Sequence, residues 1–550
     1  MAQLKKVLSY PAILLITINS IMGTGIFFLP AVGAGSSGPA SLISWLILSF
    51  ISIYIAMCFG ELSSMYPKSG GIYEYCKQAY GRFFSFIIGW MTVIAGNVTI
   101  AMLVVGAVQY VFPFGSIWIK IGLSLAMVFL FNYIAFRGMQ TSAKMLVIFA
   151  FITLGAILGL TIPGLFKFQL SNFKPFFVAP ASSLILTIFL IAETFFGWET
   201  ATFLSEETKD GKRVMPKALI WGTVIIAIIS LTFVITSLGV IPWKIFGTSS
   251  APLTDLGILH YGLRGGTVFT ILVYFAIIGS VAGWVVSAPR LLLAMAKDKL
   301  FMEQFAVIHP KNLTPHRAII FQTVLTTILV IVGAGSYTTM LHLLVPIVLI
   351  AYSFVLISLV VLRYKKPHQK RYFTVPFGKV GPIVIALFMF FLIGMWLTHT
   401  PGAVQILKVA LSLMFLGIPA YFLVEMYHDA KAIYAVNERL SYILVLFENI
   451  FFPISLRKRI FLMLGELKNK NVLEFGCSVG TVTRRLAEKV LPHGKVYAFD
   501  IIEHNIRVAA SHMKKYTHVK FFHHKHLDHF NTLVKMPKID VLVSTGTLSY

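Results

Sequence analysis

The residues most able to do chemistry sit where the chain is otherwise most apolar. Ser20-Ile-Met-Gly-Thr-Gly-Ile-Phe27 puts two glycines and a threonine inside a long apolar run. Glycine in a helix interior costs roughly 1 kcal/mol relative to alanine. Two readings fit. Small residues let membrane helices pack closely; alternatively the helix unwinds, and its freed amides and carbonyls bind a small charged molecule. In the second case the N-terminus of the following half-helix favours a carboxylate and the freed carbonyls an ammonium group, so a zwitterion fits. A second run, Ala192-Glu-Thr-Phe-Phe-Gly-Trp-Glu-Thr200, repeats the theme with Gly197 and two carboxylates, Glu193 and Glu199. Acids within apolar segments are rare and mark ion or substrate paths.

A third constellation lies near the C-terminus. Asn471-Val-Leu-Glu-Phe-Gly-Cys-Ser-Val-Gly-Thr481 reads as a strand, a glycine turn and the start of a helix. A second strand, Lys495-Val-Tyr-Ala-Phe-Asp500, ends in an acid. Glycines let a ligand approach the backbone, and an acid at that distance bonds ribose hydroxyls. His523, His524, His526 and His529 have the spacing of no closed metal site and lack a neighbouring cysteine, so they are expected on the surface and no metal is expected. Cys58, Cys76 and Cys477 form no CxxC pair, which argues against a disulfide framework or zinc ribbon. No Gly-x-x-x-x-Gly-Lys phosphate loop suggests a primary pump.

The elements that position these residues follow from composition. The chain is 57% hydrophobic and 12% charged, with mean hydropathy +0.83. An average soluble domain is about half apolar and about a quarter charged, so lipid is the natural solvent. A spanning helix needs roughly 20 apolar residues. Twelve candidates lie near 10–30, 39–60, 84–112, 116–136, 143–163, 181–204, 217–241, 266–294, 318–334, 337–362, 381–398 and 404–426. Backbone polar groups must be satisfied within lipid, so these are helices. The first run is too long for a signal peptide and no A-x-A site closes it.

The net charge of +25 does not point to nucleic acid, because the basic residues sit in short loops between apolar runs. With the N-terminus inside, the external loops hold only Lys120, Lys167, Lys174, Lys244, Arg264 and Lys408. The opposite orientation would place Arg363, Lys365, Lys366, Lys370 and Arg371 outside, against the bias. Both termini are therefore expected in the cytoplasm. Interruptions in spans one and six, five apart, fit two inverted five-helix repeats. Residues 1–428 form the expected membrane domain, 429–468 an amphipathic linker at the membrane surface, and 469–550 a small α/β module.

Several segments in order resemble the amino acid–polyamine–organocation superfamily of permeases. Span one resembles its glycine-rich signature. Glu61-Leu-Ser-Ser-Met-Tyr-Pro-Lys-Ser-Gly-Gly-Ile-Tyr73 with Gly89-Trp90 resembles its loop between helices two and three. Phe196-Gly-Trp-Glu199, Glu206-Glu207 and Met215-Pro-Lys-Ala218 resemble helix six and its exit loop. Arg290 with Ala294-Met-Ala-Lys-Asp298, then Thr314-Pro315, resembles the end of helix eight; Arg371-Tyr-Phe-Thr-Val-Pro376 resembles the loop after helix ten. The resemblance covers about residues 8–426 and implies an all-α membrane protein with a leucine-transporter-like core of ten helices plus two. It implies alternating access around a midplane site for an amino acid or amine, with a proton or sodium as the coupling ion, or exchange. By position, Ile21, Gly23, Thr24 and Gly25 would cradle the substrate with Gly197, Phe195 would form an aromatic lid, and Glu199 would serve gating or proton response.

Two departures stand out. Many relatives carry an aromatic residue at Glu193, where a carboxylate would face a cationic substrate or take up a proton. Some proton-coupled relatives carry a lysine at the position of Thr153. Gly279 and Ser280 on span eight are candidates for a cation site with carbonyls of span one.

The C-terminal pattern resembles motif one of class I S-adenosylmethionine-dependent methyltransferases, with Glu474, Gly476, Gly480 and Asp500 against the cofactor and Ser478 in place of a usual glycine. Strands near Val519–Phe522 and Ile539–Ser544 would be the third and fourth, in the order 3-2-1-4. The usual fold has seven strands, so independent catalysis is not expected. A relic, a half-domain completed by a second chain, and a ligand-binding regulator all fit.

Overall fold

The computed structural model describes residues 6–23, 25–112, 116–249, 251–333, 337–428, 454–524 and 537–544. The chain divides into two compact units, Met1–Val424 and Glu425–Tyr550.

The first unit is helical. Its first apolar run is split into α1 (Tyr10–Met22) and α2 (Gly25–Ser37), followed by α3 (Ser41–Met65) and a short, largely buried helix, α4 (Ile72–Tyr80). Long helices follow: α5 (Arg82–Val111), α6 (Ile117–Arg137) and α7 (Met139–Phe166). The sixth run is split again, into α8 (Ala181–Ile191), a 3-10 turn at Ala192–Phe195, and α9 (Trp198–Phe203). Then come α10 (Gly211–Val240), α11 (Trp243–Phe246), α12 (Pro252–Ser287) and α13 (Pro289–Lys297). The remainder is α14 (His316–Gly333), α15 (Tyr337–Lys365), α16 (Gly381–His399), α17 (Ala403–Phe415) and α18 (Gly417–His428).

Each expected apolar run falls on a helix. Among the described residues ten helical stretches are long and apolar enough to cross a membrane, the first, Tyr10–Met65, taking in two expected runs; His316–Ile331 is shorter. The eighth helix starts well before residue 266, because α12 continues through a kink at Gly262, where φ is 73°. Phe129, Phe151, Ile228 and Leu387 are exposed on these helices, which only an apolar solvent would tolerate. One continuous apolar core joins the inner faces, and its largest buried side chains include Trp45, Trp198, Tyr352 and Trp396.

The second unit contains α19 (Ile454–Leu464), β1 (Val472–Phe475), α20 (Thr483–Lys489), β2 (Val496–Asp500), α21 (Glu503–His512), β3 (Val519–His523) and β4 (Val541–Ser544). The strands form one parallel sheet in the order β3-β2-β1-β4. Parallel pairing requires crossovers, and α20 and α21 supply the first two. Of the expected linker, residues 429–453 lie outside the described residues.

The four histidines need correction. His523 is exposed, but His524 is buried, with its ring edge-on to Phe475 and Phe499. An apolar sheet face covers it. His526 and His529 lie outside the described residues.

Candidate functional site

The two helix breaks face each other. α1 stops at Met22 because Gly23 turns the chain with φ 44° and ψ −146°, a conformation that glycine adopts without a Cβ clash. Thr24 lies outside the described residues, and α2 resumes at Gly25. On the opposite wall the 3-10 turn Ala192–Phe195 leads through Phe196 to Gly197, at φ 124°, before α9 begins. A β-carbon on Gly197 would lie 2.5 Å from the Ser20 carbonyl oxygen, and one on Gly25 would lie 2.4 Å from Thr194 Cα. The glycines therefore serve both readings of the sequence: they break the helices and let the broken segments touch.

Glu193 lies between them. It is 4% exposed. A β-carbon on Gly23 would be 3.1 Å from its Oε1, and one on Gly25 would be 2.6 Å from its Oε2. Its carboxylate is thus at the N-terminal end of α2, where the helix dipole favours negative charge. Ile21 is fully buried beside the break.

Glu199 takes a different direction. It is buried in the first turn of α9 and accepts a hydrogen bond from the Tyr352 hydroxyl of α15. The Gly197 amide donates to the same hydroxyl oxygen at 3.2 Å. Tyr352 therefore ties the break in span six to span ten. No sequence signal singles it out, since tyrosine is common in membrane helices. Phe195 is buried in an apolar crevice with Ile55 of α3, Leu349 of α15 and Met389 of α16. Gly279 and Ser280 meet span one at Asn19, a turn before its break.

The end of the bundle that carries the basic loops is closed by ion pairs. Arg290 Nε lies 2.7 Å from Glu207 Oε2, with both side chains buried. Glu61 accepts from Arg363 Nε at 3.0 Å and from the Val375 amide at 2.8 Å, and it lies 3.1 Å from Arg371. Asp298 receives Lys77 at 2.6 Å and the Tyr73 hydroxyl at 3.0 Å. The N-terminal segment adds to this closure: the amides of Val7 and Leu8 donate to the Glu207 carbonyl, and Lys209 donates to that of Leu8. The sequence motifs contain nearly all these acids and bases, but only the fold pairs them.

In the C-terminal unit Gly476, Ser478 and Gly480 all have positive φ and shape the turn after β1. Asp500 organises that turn. Its Oδ2 accepts the Ser478 amide at 2.8 Å, and its Oδ1 accepts the Ile502 amide at 2.8 Å and Asn505 Nδ2 at 3.3 Å. A β-carbon on Gly480 would lie 3.2 Å from Ala509 Cβ, so this glycine lets α21 approach. Glu474 is fully buried beneath the turn. Burial raises its pKa to about 8. Burial also raises Asp500, opposed by the hydrogen bonds it accepts.

Comparison with known proteins agrees with this architecture. Residues 466–550 match the family model described as a methyltransferase domain. The Branched-chain amino acid permease BcaP of Bacillus subtilis is 26% identical over 477 residues, covering 78% of this chain and 94% of the relative. The Methylthioribose transporter of the same organism is 26% identical, covering 70% and 87%. Its Serine/threonine exchanger SteT is 25% identical, covering 76% and 97%. The family model described as amino acid permease matches residues 8–421, and with the paired helix breaks this places the chain in the amino acid permease family.

Proposed function

We propose that this chain is a secondary transporter that carries amino acids or related amines across the cytoplasmic membrane by alternating access. Twelve spans, with both termini in the cytoplasm, would put the ion-paired end on the inside. The observation that carries this reading is the meeting of the two breaks, with Glu193 buried against Gly23 and Gly25. Backbone groups released at such breaks are the natural ligands of a zwitterion. Ile21, Gly23, Thr24, Gly25 and Gly197 would form the cradle, and Phe195 an aromatic lid. Glu193 favours substrates that present a cation to it. The relatives carry branched-chain amino acids, serine and threonine, or methylthioribose, as their names state, so the substrate is decided by the lining rather than by the fold.

The test is uptake of a radiolabelled panel of amino acids and polyamines into proteoliposomes, under imposed proton or sodium gradients and under counter-exchange. Accumulation of one class supports the proposal. No uptake of any of them, in both gradient and exchange formats, refutes it.

A second property attaches to the C-terminal unit, carried by the positive-φ turn above Asp500. Features that support S-adenosylmethionine there are the partly exposed turn positions Gly476 and Ser478, the Asp500 carboxylate beside them for ribose hydroxyls, and Glu474 buried beneath the turn. When bound, that group supplies an activated methyl. Calorimetric titration of S-adenosylmethionine into the full chain, with Asp500→Ala as control, tests this. Equal heats from both proteins would exclude the site.

A further inference from the structure

The end of the bundle that carries the basic loops has a crevice on its outer face. Its volume is about 390 Å³, and it lies between the first turns of α10 and the loop that joins α15 to α16. Arg213, Lys217, Ile220 and Trp221 line it from α10, and Tyr372 and Phe373 from the loop. No carboxylate lines it among the described residues. In this it differs from the ion-paired surroundings, where Glu61, Glu207 and Asp298 each hold a base. Tyr372 gathers two cations: Arg213 Cζ lies 5.6 Å from its ring centroid and Lys370 Nζ lies 5.1 Å from it. An aromatic ring attracts cations through its quadrupole. Arg213, Lys217 and Lys370 thus bring three positive charges to one crevice whose described lining holds no negative one.

The outer face of α10 changes character along its length. Arg213 and Lys217 are exposed, Trp221 follows one turn on at 56% exposure, and Ile228 lies beyond it at 60%. Residues at these spacings share one side of a helix. Basic group, aromatic ring and aliphatic side chain is the order met on entering a bilayer from its surface, with tryptophan concentrated at the interface. From Lys217 to Ile228 the helix rises roughly 16 Å, about half the thickness of the hydrocarbon core. A lipid against this face would have its phosphate at the cations and its chains along Ile220, Trp221 and Ile228. A choline headgroup would add an ammonium to a site that is already cationic, and the Tyr372 ring is taken by Arg213 and Lys370. Charge therefore selects a headgroup that is negative overall.

We propose that this crevice binds the headgroup of an anionic phospholipid, which bridges α10 and the loop after α15. The proposal goes beyond the transporter reading and requires only that this face meets the bilayer surface.

The test uses the purified full chain in detergent, titrated with dioleoylphosphatidylglycerol, dioleoylphosphatidylcholine or inorganic phosphate. Native mass spectrometry follows the lipid retained, and the thermal unfolding midpoint follows its effect. The natural chain should retain phosphatidylglycerol in preference to phosphatidylcholine and unfold at a higher midpoint with it. Arg213→Gln with Lys217→Gln should weaken phosphatidylglycerol binding roughly twenty-five-fold, about fivefold for each charge removed. Lys217→Gln alone, which leaves the contact of Arg213 with Tyr372 in place, should weaken it about fivefold and decides the matter if the double variant does not fold. Lys209→Gln with Lys311→Gln removes two exposed charges outside the crevice and should bind like the natural chain. Equal retention of the two lipids by the natural chain would overturn the proposal, as would unchanged binding in Lys217→Gln. An equal loss in the Lys209 and Lys311 pair would show a diffuse charge effect and overturn it too. Inorganic phosphate that displaces phosphatidylglycerol and raises the midpoint as much would assign the crevice to a soluble phosphate instead of a lipid. No readout involves uptake, so failure of transport counts against the transporter reading alone.

Discussion

Arg290 and Glu207 form a buried ion pair at 2.7 Å, bringing the end of span eight onto the exit of span six. Arg290 also donates to the Val286 carbonyl, and the Glu207 carbonyl in turn receives the amides of Val7 and Leu8. Three segments are thus held at one end of the bundle by one ion pair and the Glu207 backbone carbonyl.

Breaking that pair from one side should be costly. Arg290→Met leaves a buried carboxylate alone, which costs about 3–5 kcal/mol. The double change Arg290→Met with Glu207→Met should recover most of the loss. Thermal unfolding of the detergent-solubilised chain checks both. A double variant no more stable than the single one would show that the pair is not the source of the cost.

Gly197→Ala should abolish uptake. The residue sits at φ 124°, and a β-carbon would lie 2.5 Å from the Ser20 carbonyl, a strain of order 1–3 kcal/mol before the clash is counted. Gly155→Ala is the control, because a β-carbon there meets nothing within 4 Å, and its uptake should stay near that of the natural chain.

Glu199→Gln should change the pH dependence of uptake. The carboxylate that accepts the Tyr352 hydroxyl becomes an amide that holds no titratable proton, while the packing is nearly unchanged. Tyr352→Phe should lower uptake without removing the pH response. An unchanged pH profile in Glu199→Gln would take this residue out of the coupling role.

The C-terminal unit should lose stability as pH rises from about 4.5 to about 8. Burial raises the Glu474 pKa in the folded state to about 8 from its ordinary value of 4.5. Between those values the folded state holds a proton that the unfolded state has released. Raising the pH therefore favours unfolding, by up to roughly 1.4 kcal/mol per pH unit, and the effect levels off above the folded pKa. Limited proteolysis of the full chain, followed at sites within 466–550, measures this. Glu474→Gln should flatten the profile.

Much of this was legible in the sequence, for identifiable reasons. Apolar runs of membrane length have few alternatives to helix, because lipid leaves no other way to satisfy the backbone. Glycines and carboxylates inside such runs are expensive, so both breaks were visible at Gly23–Gly25 and Gly197. Strand, turn and acid spacing likewise marked the parallel module. Pairings far apart in sequence were not legible. Asn19 with Gly279, Tyr352 with Glu199, and Arg290 with Glu207 lie 260, 153 and 83 residues apart. The histidine cluster shows the same limit, since His524 looks like a surface residue until the sheet places it between Phe475 and Phe499.

By itself, then, the sequence determined the solvent, the helices and the places where they break, since each depends on local spacing and on the cost of burying polar groups, while the order of the small sheet followed only from its resemblance to a known fold. Only the tertiary structure decided that the two breaks touch, that Glu193 is buried between Gly23 and Gly25, and that the Asn19 amide donates to the Gly279 carbonyl of span eight. Those depend on which helix faces which, and helix faces are chosen by packing across the whole bundle.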